Sequence, residues 1–273
     1  MPDEINTGVL LGSGTQNLWV GGTIPYEIKL QSGDWRPYVP VGEKQRPAAV
    51  DVMACVTFSD LNDLEIQEKQ QTGIEPNWSD RFIAKLSGTT PQGNYLDKVA
   101  DTIRKFGLVR EEDYPAPPNF TWDSYYSEVP QDVINKAVKR EILYESINAD
   151  KNTLLYHLKQ CPIQVIITNT NPHHAVCLLH IDGDTAYYFD SYSPYIKSTN
   201  VTNIYKSALK IVLKGVMNPN VKIYKNGSEY RIAFRANSPQ GFGQQLLDAG
   251  CASLVNSDGT PNFTEIDKIA QVL

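Results

Sequence analysis

The sequence predicts an α+β fold in two parts, a mostly helical first part followed by an antiparallel sheet, with a small α+β appendage at its C-terminal end. Three observations carry this. Ala54, Phe58, Leu61 and Leu64 recur at i, i+4, i+7 and i+10, the stripe of an amphipathic helix that opens at Cys55. Residues 173–181 and 185–192 read as two strands joined by the turn Asp182-Gly183-Asp184. Residues 221–234 read as a second hairpin, turned at Asn226-Gly227.

The elements follow in order. Residues 1–30, rich in Gly and Thr with scattered apolar groups, read as an extended arm lying on the body. Ser79 caps a short helix with Phe82, Ile83 and Leu86 inward. Leu96, Val99, Ile103 and Phe106 mark a helix closed by Gly107, and Pro130 opens another with Val133, Ala137 and Ile142 inward. Between these two helices the Pro-rich tract 113–119 is a stiff loop. A helix around Leu154, Leu155 and Leu158 leads into a strand over 162–168 and then into the histidine hairpin. Helix-like patterns cover 241–249 and 264–272. The expected domains are therefore an arm (1–30), a main domain (31–216) and an appendage (217–273).

With 273 residues, 41% hydrophobic and 21% charged, the composition is that of an ordinary globular chain. A net charge of −6 supplies no basic patch, so no nucleic-acid partner is expected. No apolar run approaches the length of about 20 residues that spans a bilayer, so no membrane partner is expected either. The amino terminus lacks a basic region followed by an apolar core, which points to a cytoplasmic protein or one released without a visible signal. The four cysteines, Cys55, Cys161, Cys177 and Cys251, show no metal-binding spacing. Asn256, Asp258, Gly259 and Glu265 imitate a calcium loop, but Leu254 takes the first ligand position and Pro261 interrupts it. No metal and no cofactor is expected.

The chemistry lies in Cys55, His174 and Asp190. The first turn of a helix presents unpaired N–H groups and the positive end of the macrodipole, which favour an anion such as a thiolate. A small buried hydrophobe is the competing reading of a lone cysteine. In the histidine hairpin, His174 at the start of one strand and Asp190 near the end of the next come close in space. A carboxylate holds an imidazole in one orientation and keeps it protonated, so that it can pair with a thiolate.

The stretches around these three residues and two further ones resemble papain-family cysteine peptidases. Cys55-Val-Thr-Phe-Ser59 with Leu64-Glu65 resembles the family's nucleophile helix, and His174-Ala-Val176 its His-Ala-Val strand. Asp190-Ser-Tyr192, 16 residues beyond the histidine, stands where the family has Asn-Ser-Trp. Asp34-Trp-Arg36 with Val39-Pro-Val41 resembles its mature amino terminus. Asn94-Tyr-Leu96, followed by the run 107–115, resembles its Gly-Tyr, helix, Gly, Glu, Tyr-Pro series. The resemblance covers about residues 30 to 195, in the family's order.

It implies a papain-like fold, with a cleft between the two parts and a peptide or protein as substrate. Cys55 is then the nucleophile, His174 the base and Asp190 its orienter. The family's oxyanion glutamine falls on Ala49, so Gln45, four residues earlier, is the nearest substitute. A solvated loop residue is its alternative reading. On the substrate side the resemblance places Gly93 and Asn94, whose backbone would pair with an extended peptide, His173 at the cleft rim, and Tyr192 as the ring over the Asp–His bond. Gly93 reads equally as a plain turn residue. Val52 stands where papain has a cysteine of its disulfide framework, which fits a reducing compartment. With the mature-like region so near the start of the sequence, a helical inhibitory propeptide is not expected. Acyl transfer of the transglutaminase kind, cell-wall peptide cleavage and a catalytically silent peptide-binding module are the alternatives, and the appendage is expected to position the enzyme or bind a protein partner.

Overall fold

The computed structural model describes residues 9–10, 19–20, 26–42, 44–45, 50–170, 173–214, 222–226, 229–233, 254–256, 260–262 and 271–272. They form two compact units, Met1–Gln67 with Pro76–Leu213, and Glu68–Glu75 with Lys214–Leu273.

Helices and strands alternate along the chain, most helices lying before most strands. The helices are α1 (Cys55–Thr72), which ends among residues of the second unit, α2 (Asp80–Leu86), α3 (Leu96–Phe106), α4 (Trp122–Tyr125), α5 (Gln131–Asn135) and α6 (Lys151–Leu158). The first unit holds a seven-stranded antiparallel sheet in the order β1-β2-β7-β3-β4-β5-β6. Its strands are β1 (Trp19–Val20), β2 (Ile142–Asn148), β3 (Ile163–Ile167), β4 (His174–Asp182), β5 (Thr185–Phe189), β6 (Ile196–Asn200) and β7 (Ser207–Leu213). This is the expected α+β arrangement.

The local signals worked where backbone chemistry dominates. The Ser79 side chain accepts the Phe82 N–H at the start of α2, and Asp150 accepts the Thr153 N–H at the start of α6. Gly107 closes α3 at φ 87°, and Gly183 turns the β4–β5 hairpin at φ 56°. Phe82 and Ile83 are buried as expected, while Leu86 is only half-buried and Ala84 and Arg81 are covered instead.

Two expectations fail. The helix opened by Pro130 stops at Asn135, and Ile142 begins strand β2, which pairs with β7 from Ile142↔Leu213 to Asn148↔Ser207. Branched and aromatic side chains in 142–147 favour the ladder over a helical repeat. The stripe on α1 is also too modest a description: every residue from Cys55 to Gln67 is buried, Asp60 and Asp63 included. This helix is central, packed on all sides.

Polar side chains fix α1 against the sheet. Gln164 of β3 donates to the Val56 carbonyl at 2.9 Å and to Ser59 Oγ at 2.7 Å. Gln67 donates to the Ile211 carbonyl at 2.9 Å and accepts the Leu213 N–H at 2.9 Å. Buried amides with two partners hold one geometry, because each lost bond leaves a desolvated group. Two apolar clusters flank the helix. One joins Trp35, Leu154 and Leu158 to the sheet residues Ile163, Val176, Leu178 and Phe189, and the other gathers Val52, Ala54, Phe58, Ala84, Phe120 and Tyr125.

The arm touches the body at several described points. Val9 bridges Asn94, Trp19–Val20 pairs with β2 at the sheet edge, and the Lys29 and Leu30 N–H groups donate to the Lys159 carbonyl at 2.8 and 3.0 Å.

The second unit holds a three-stranded sheet, β8 (Lys222–Asn226), β9 (Glu229–Ala233) and β10 (Gln271–Val272), in the order β10-β8-β9. β8 and β9 form the expected hairpin, with its turn residues 227 and 228 outside the described set. The helix expected over 264–272 is corrected at its end, where Gln271–Val272 is a strand parallel to β8. Residues 241–249, and Asp258, Gly259 and Glu265 of the calcium-like spacing, lie outside the described residues.

Candidate active site

Cys55 is the first residue of α1. The chain enters the helix through Met53, whose φ of 53° is uncommon for a residue with a Cβ. Asp51 holds this turn, its Oδ1 accepting the Met53 N–H at 2.9 Å. Cys55 itself is fully buried.

His174 begins β4 opposite Ile167 of β3, and Asp190 follows the last residue of β5. The two meet as the hairpin pattern predicts, His174 Nε2 lying 2.7 Å from Asp190 Oδ1 with both side chains buried. The same Oδ1 accepts the Tyr192 N–H at 3.1 Å, and Oδ2 accepts Lys197 Nζ at 2.8 Å. With Nε2 committed to Asp190, Nδ1 is the ring nitrogen left for the thiol. It makes no well-formed hydrogen bond. Sites of this kind are often loose before substrate binds.

Burial works to lower the pKa of His174, but the Asp190 hydrogen bond, then the contact with Cys55 and its charge, outweigh it and push the value up to about 10. Burial likewise works to raise Asp190, and His174 followed by Lys197 bring its carboxyl below the usual value. The favoured state of the pair is therefore imidazolium with carboxylate. Burial, with Asp63 beside them, pushes the thiols of Cys161 and Cys177 far up, which leaves both inert near neutrality.

The Tyr192 ring lies 5.5 Å from the imidazole at 53°. Its hydroxyl donates to Asp51 Oδ2, and burial together with that carboxylate keeps the phenol protonated. Gln45 is fully buried, which corrects the reading of it as a solvated loop residue. Its Nε2 donates to Asp51 Oδ1 at 2.9 Å, its Oε1 accepts Ser191 Oγ at 3.1 Å, and its N–H donates to the Ser191 carbonyl at 3.1 Å. Gln45 is thus tied to the segment after Asp190 and, through Asp51, to the turn before Cys55. Ala49 lies outside the described residues.

The substrate-side expectations divide. Gly93 is a turn residue: its N–H and carbonyl both close on Thr90, at 2.8 and 3.2 Å, so its backbone is not a free edge. Asn94 does pair with an extended segment, but that segment is the chain's own arm, with the Leu10 N–H donating to the Asn94 carbonyl at 2.7 Å. The Asn94 side chain is turned away into Ser87 and Thr89. His173 sits half-buried just ahead of β4.

Sequence reasoning missed Asp51 and Lys197. The first carries a signal, an acid whose side chain can cap the N–H two residues on, just before a helix start. The second carries none, because only the β5–β6 register, with Tyr188↔Lys197 and Phe189↔Ile196, brings it to Asp190.

The helical part, the antiparallel sheet and the placement of Cys55 and His174 on their respective elements define the papain-like α+β fold. Solved structures of cysteine proteases share it. The Amb a 11 cysteine protease, a ragweed pollen allergen, in its proform matches with a TM-score of 0.53 at 14% identity, over 66% of this chain and 65% of that one. The digestive procathepsin L 3 of the Tenebrio molitor larval midgut matches with a TM-score of 0.53 at 16% identity, over 77% of each chain. The chain thus spans just under two thirds of the length of the ragweed protein. No protein-family model matches the sequence, and no curated protein sequence does. Among the described residues no group of three or more His, Cys, Asp or Glu could hold a metal ion, and no helix is long and apolar enough to cross a membrane.

Proposed function

We propose that this chain is a papain-like cysteine peptidase acting through Cys55, His174 and Asp190. The observation that carries the reading is the buried imidazole that meets a carboxylate at 2.7 Å through Nε2 and is also acted on by the Cys55 thiol. In this mechanism the Cys55 thiolate adds to a peptide carbonyl. The imidazolium then gives its proton to the departing amine as the C–N bond breaks, leaving a thioester. His174 next takes a proton from water, the hydroxide adds to the thioester, and the C–S bond breaks to release the acid and the thiolate. Asp190 keeps the ring oriented, while the Cys55 N–H and the second amide hydrogen of Gln45 hold the oxyanion.

The contact of the arm with Asn94 belongs to the same reading. The pairing of Leu10 with Asn94 supports an edge that accepts extended backbone, as a bound peptide would require. A peptide that pairs with that edge displaces the arm.

Turnover of fluorogenic peptides by the wild type and by Cys55→Ala tests the proposal. Loss of all turnover in the variant is expected. Equal turnover in both, or peptide binding without any turnover by either, refutes it, the latter in favour of a silent binding module. Amines added to the assay report acyl transfer by appearing in the product.

A further inference from the structure

The buried Asp190 makes a contact for which the reaction just described has no use. Its Oδ2 accepts Lys197 Nζ at 2.8 Å, where Lys197 projects from the neighbouring strand β6 with 28% of its side chain exposed. The other oxygen serves His174 and the Tyr192 N–H. Resting on the peptidase reading, we propose that Lys197 is a positioning residue of this site, which fixes the rotation of Asp190 and keeps its charge in place so that the proton shared with His174 stays on Nε2.

The position of that proton decides whether the ring carries charge. Two states hold the same number of protons: imidazolium with carboxylate, or neutral imidazole with a protonated Asp190. They interconvert when the proton on Nε2 moves to Oδ1. A carboxylate this buried favours the neutral pair unless something compensates its charge. The neutral pair is the wrong one, because the ring then has no positive charge to hold the Cys55 thiolate and is a weaker acid toward the leaving amine. Lys197 lies closer to Asp190 than to the imidazole, so its attraction for the carboxylate exceeds its repulsion of the imidazolium, and the charged pair is favoured. The other groups around the pair are Cys55 from α1, Tyr192 and, through it, Asp51, with His173 adjoining in sequence. None of them supplies a permanent cation.

The test uses the full chain with 15N-labelled histidine and 13C-labelled aspartate, read by NMR at pH 7. In the wild type and in Lys197→Arg both imidazole nitrogens of His174 are expected to be protonated and Asp190 ionised. In Lys197→Met the Asp190 carboxyl, followed through an acid titration of the same sample, is expected to take up its proton about one pH unit or more higher than in the wild type, and Lys197→Arg to restore the wild-type curve. In the peptidase assay kcat falls with KM little changed, and the arginine variant restores it. Identical Asp190 titration curves in wild type and Lys197→Met overturn the proposal, as does a drop in activity that arginine fails to rescue. If Lys197→Met does not fold, Asp190→Asn/Lys197→Met, which has no carboxylate to compensate, is expected to fold; its failure also overturns the proposal. A wild type that shows the expected NMR signals but turns over no peptide defeats the peptidase reading alone.

Discussion

Removing residues 1–10 takes away the segment that occupies the Asn94 edge, and the structure sets the size of the effect. The deletion costs the arm its hydrogen bond from the Leu10 N–H to the Asn94 carbonyl, 2.7 Å long, and the cover of Val9, which is 9% exposed. A net hydrogen bond contributes about 1 kcal/mol, and burying a valine side chain about 1.5–2 kcal/mol. Together these hold the arm down by about 2.5–3 kcal/mol, so the edge is open in roughly one molecule in 70 to 160. A substrate that must pair with Asn94 sees its apparent affinity reduced by that fraction. The truncated chain should therefore cleave extended peptides with kcat/KM about 70 to 160 times higher than the full chain, mainly through KM. The assay is a progress curve of a fluorogenic peptide at concentrations well below KM. An unchanged kcat/KM refutes the competition argument, and a fall in kcat/KM means that the arm supports the site instead of blocking it.

Three further outcomes follow from the same geometry. Gln45→Ala should lower kcat by about a hundred- to a thousandfold if its amide serves the oxyanion, measured with the same peptide under saturating conditions; a change below about threefold would restrict Gln45 to its bonds with Asp51 and Ser191. Asp60 and Asp63 are buried in α1, and burial raises both carboxyls well above the ordinary 3.8, so they stay neutral when folded but ionise when unfolded. Stability is then full below about pH 4 and falls as pH rises, by about 1.4 kcal/mol per unit per group until the folded pKa is passed. The raised His174 acts in the same direction, its contribution complete below 6.5 and lost through about 10. Asp60→Asn should therefore raise the urea midpoint at pH 8 and leave it nearly unchanged at pH 4; an equal shift at both values contradicts the argument. Finally, Arg81 donates to the Tyr125, Ser124 and Pro115 carbonyls at 2.7, 2.9 and 3.1 Å and stacks 4.2 Å from the Tyr114 ring. Arg81→Met should cost about 3 kcal/mol or more in denaturant unfolding, since it strands three partly buried acceptors.

Much of this molecule was legible before any coordinates. The helix cap at Ser79, the turn at Gly183 and the mouth of the helix at Cys55 are local matters, decided by which side chain can satisfy a nearby N–H or adopt a positive φ. The meeting of His174 and Asp190 was legible for a related reason: a tight hairpin ties residues far apart in sequence to one register. Ile142 shows where that ends. Its spacing from Val133 and Ala137 fits a helix, and only pairing with Leu213, 71 positions away, makes it a strand.

Residue chemistry and short-range spacing therefore determined by themselves that a thiol stands at a helix start and an imidazole beside a carboxylate. Tertiary packing decided everything that depends on a distant partner: that α1 is buried all round with two acids inside it, that Gln45 and Tyr192 are joined through Asp51, that the arm lies on Asn94, and that Lys197 reaches Asp190. The physical reason is the range of the forces. Backbone hydrogen bonds and rotamer sterics act within a few residues, whereas desolvation and ion pairing depend on which segments the folded chain brings into contact.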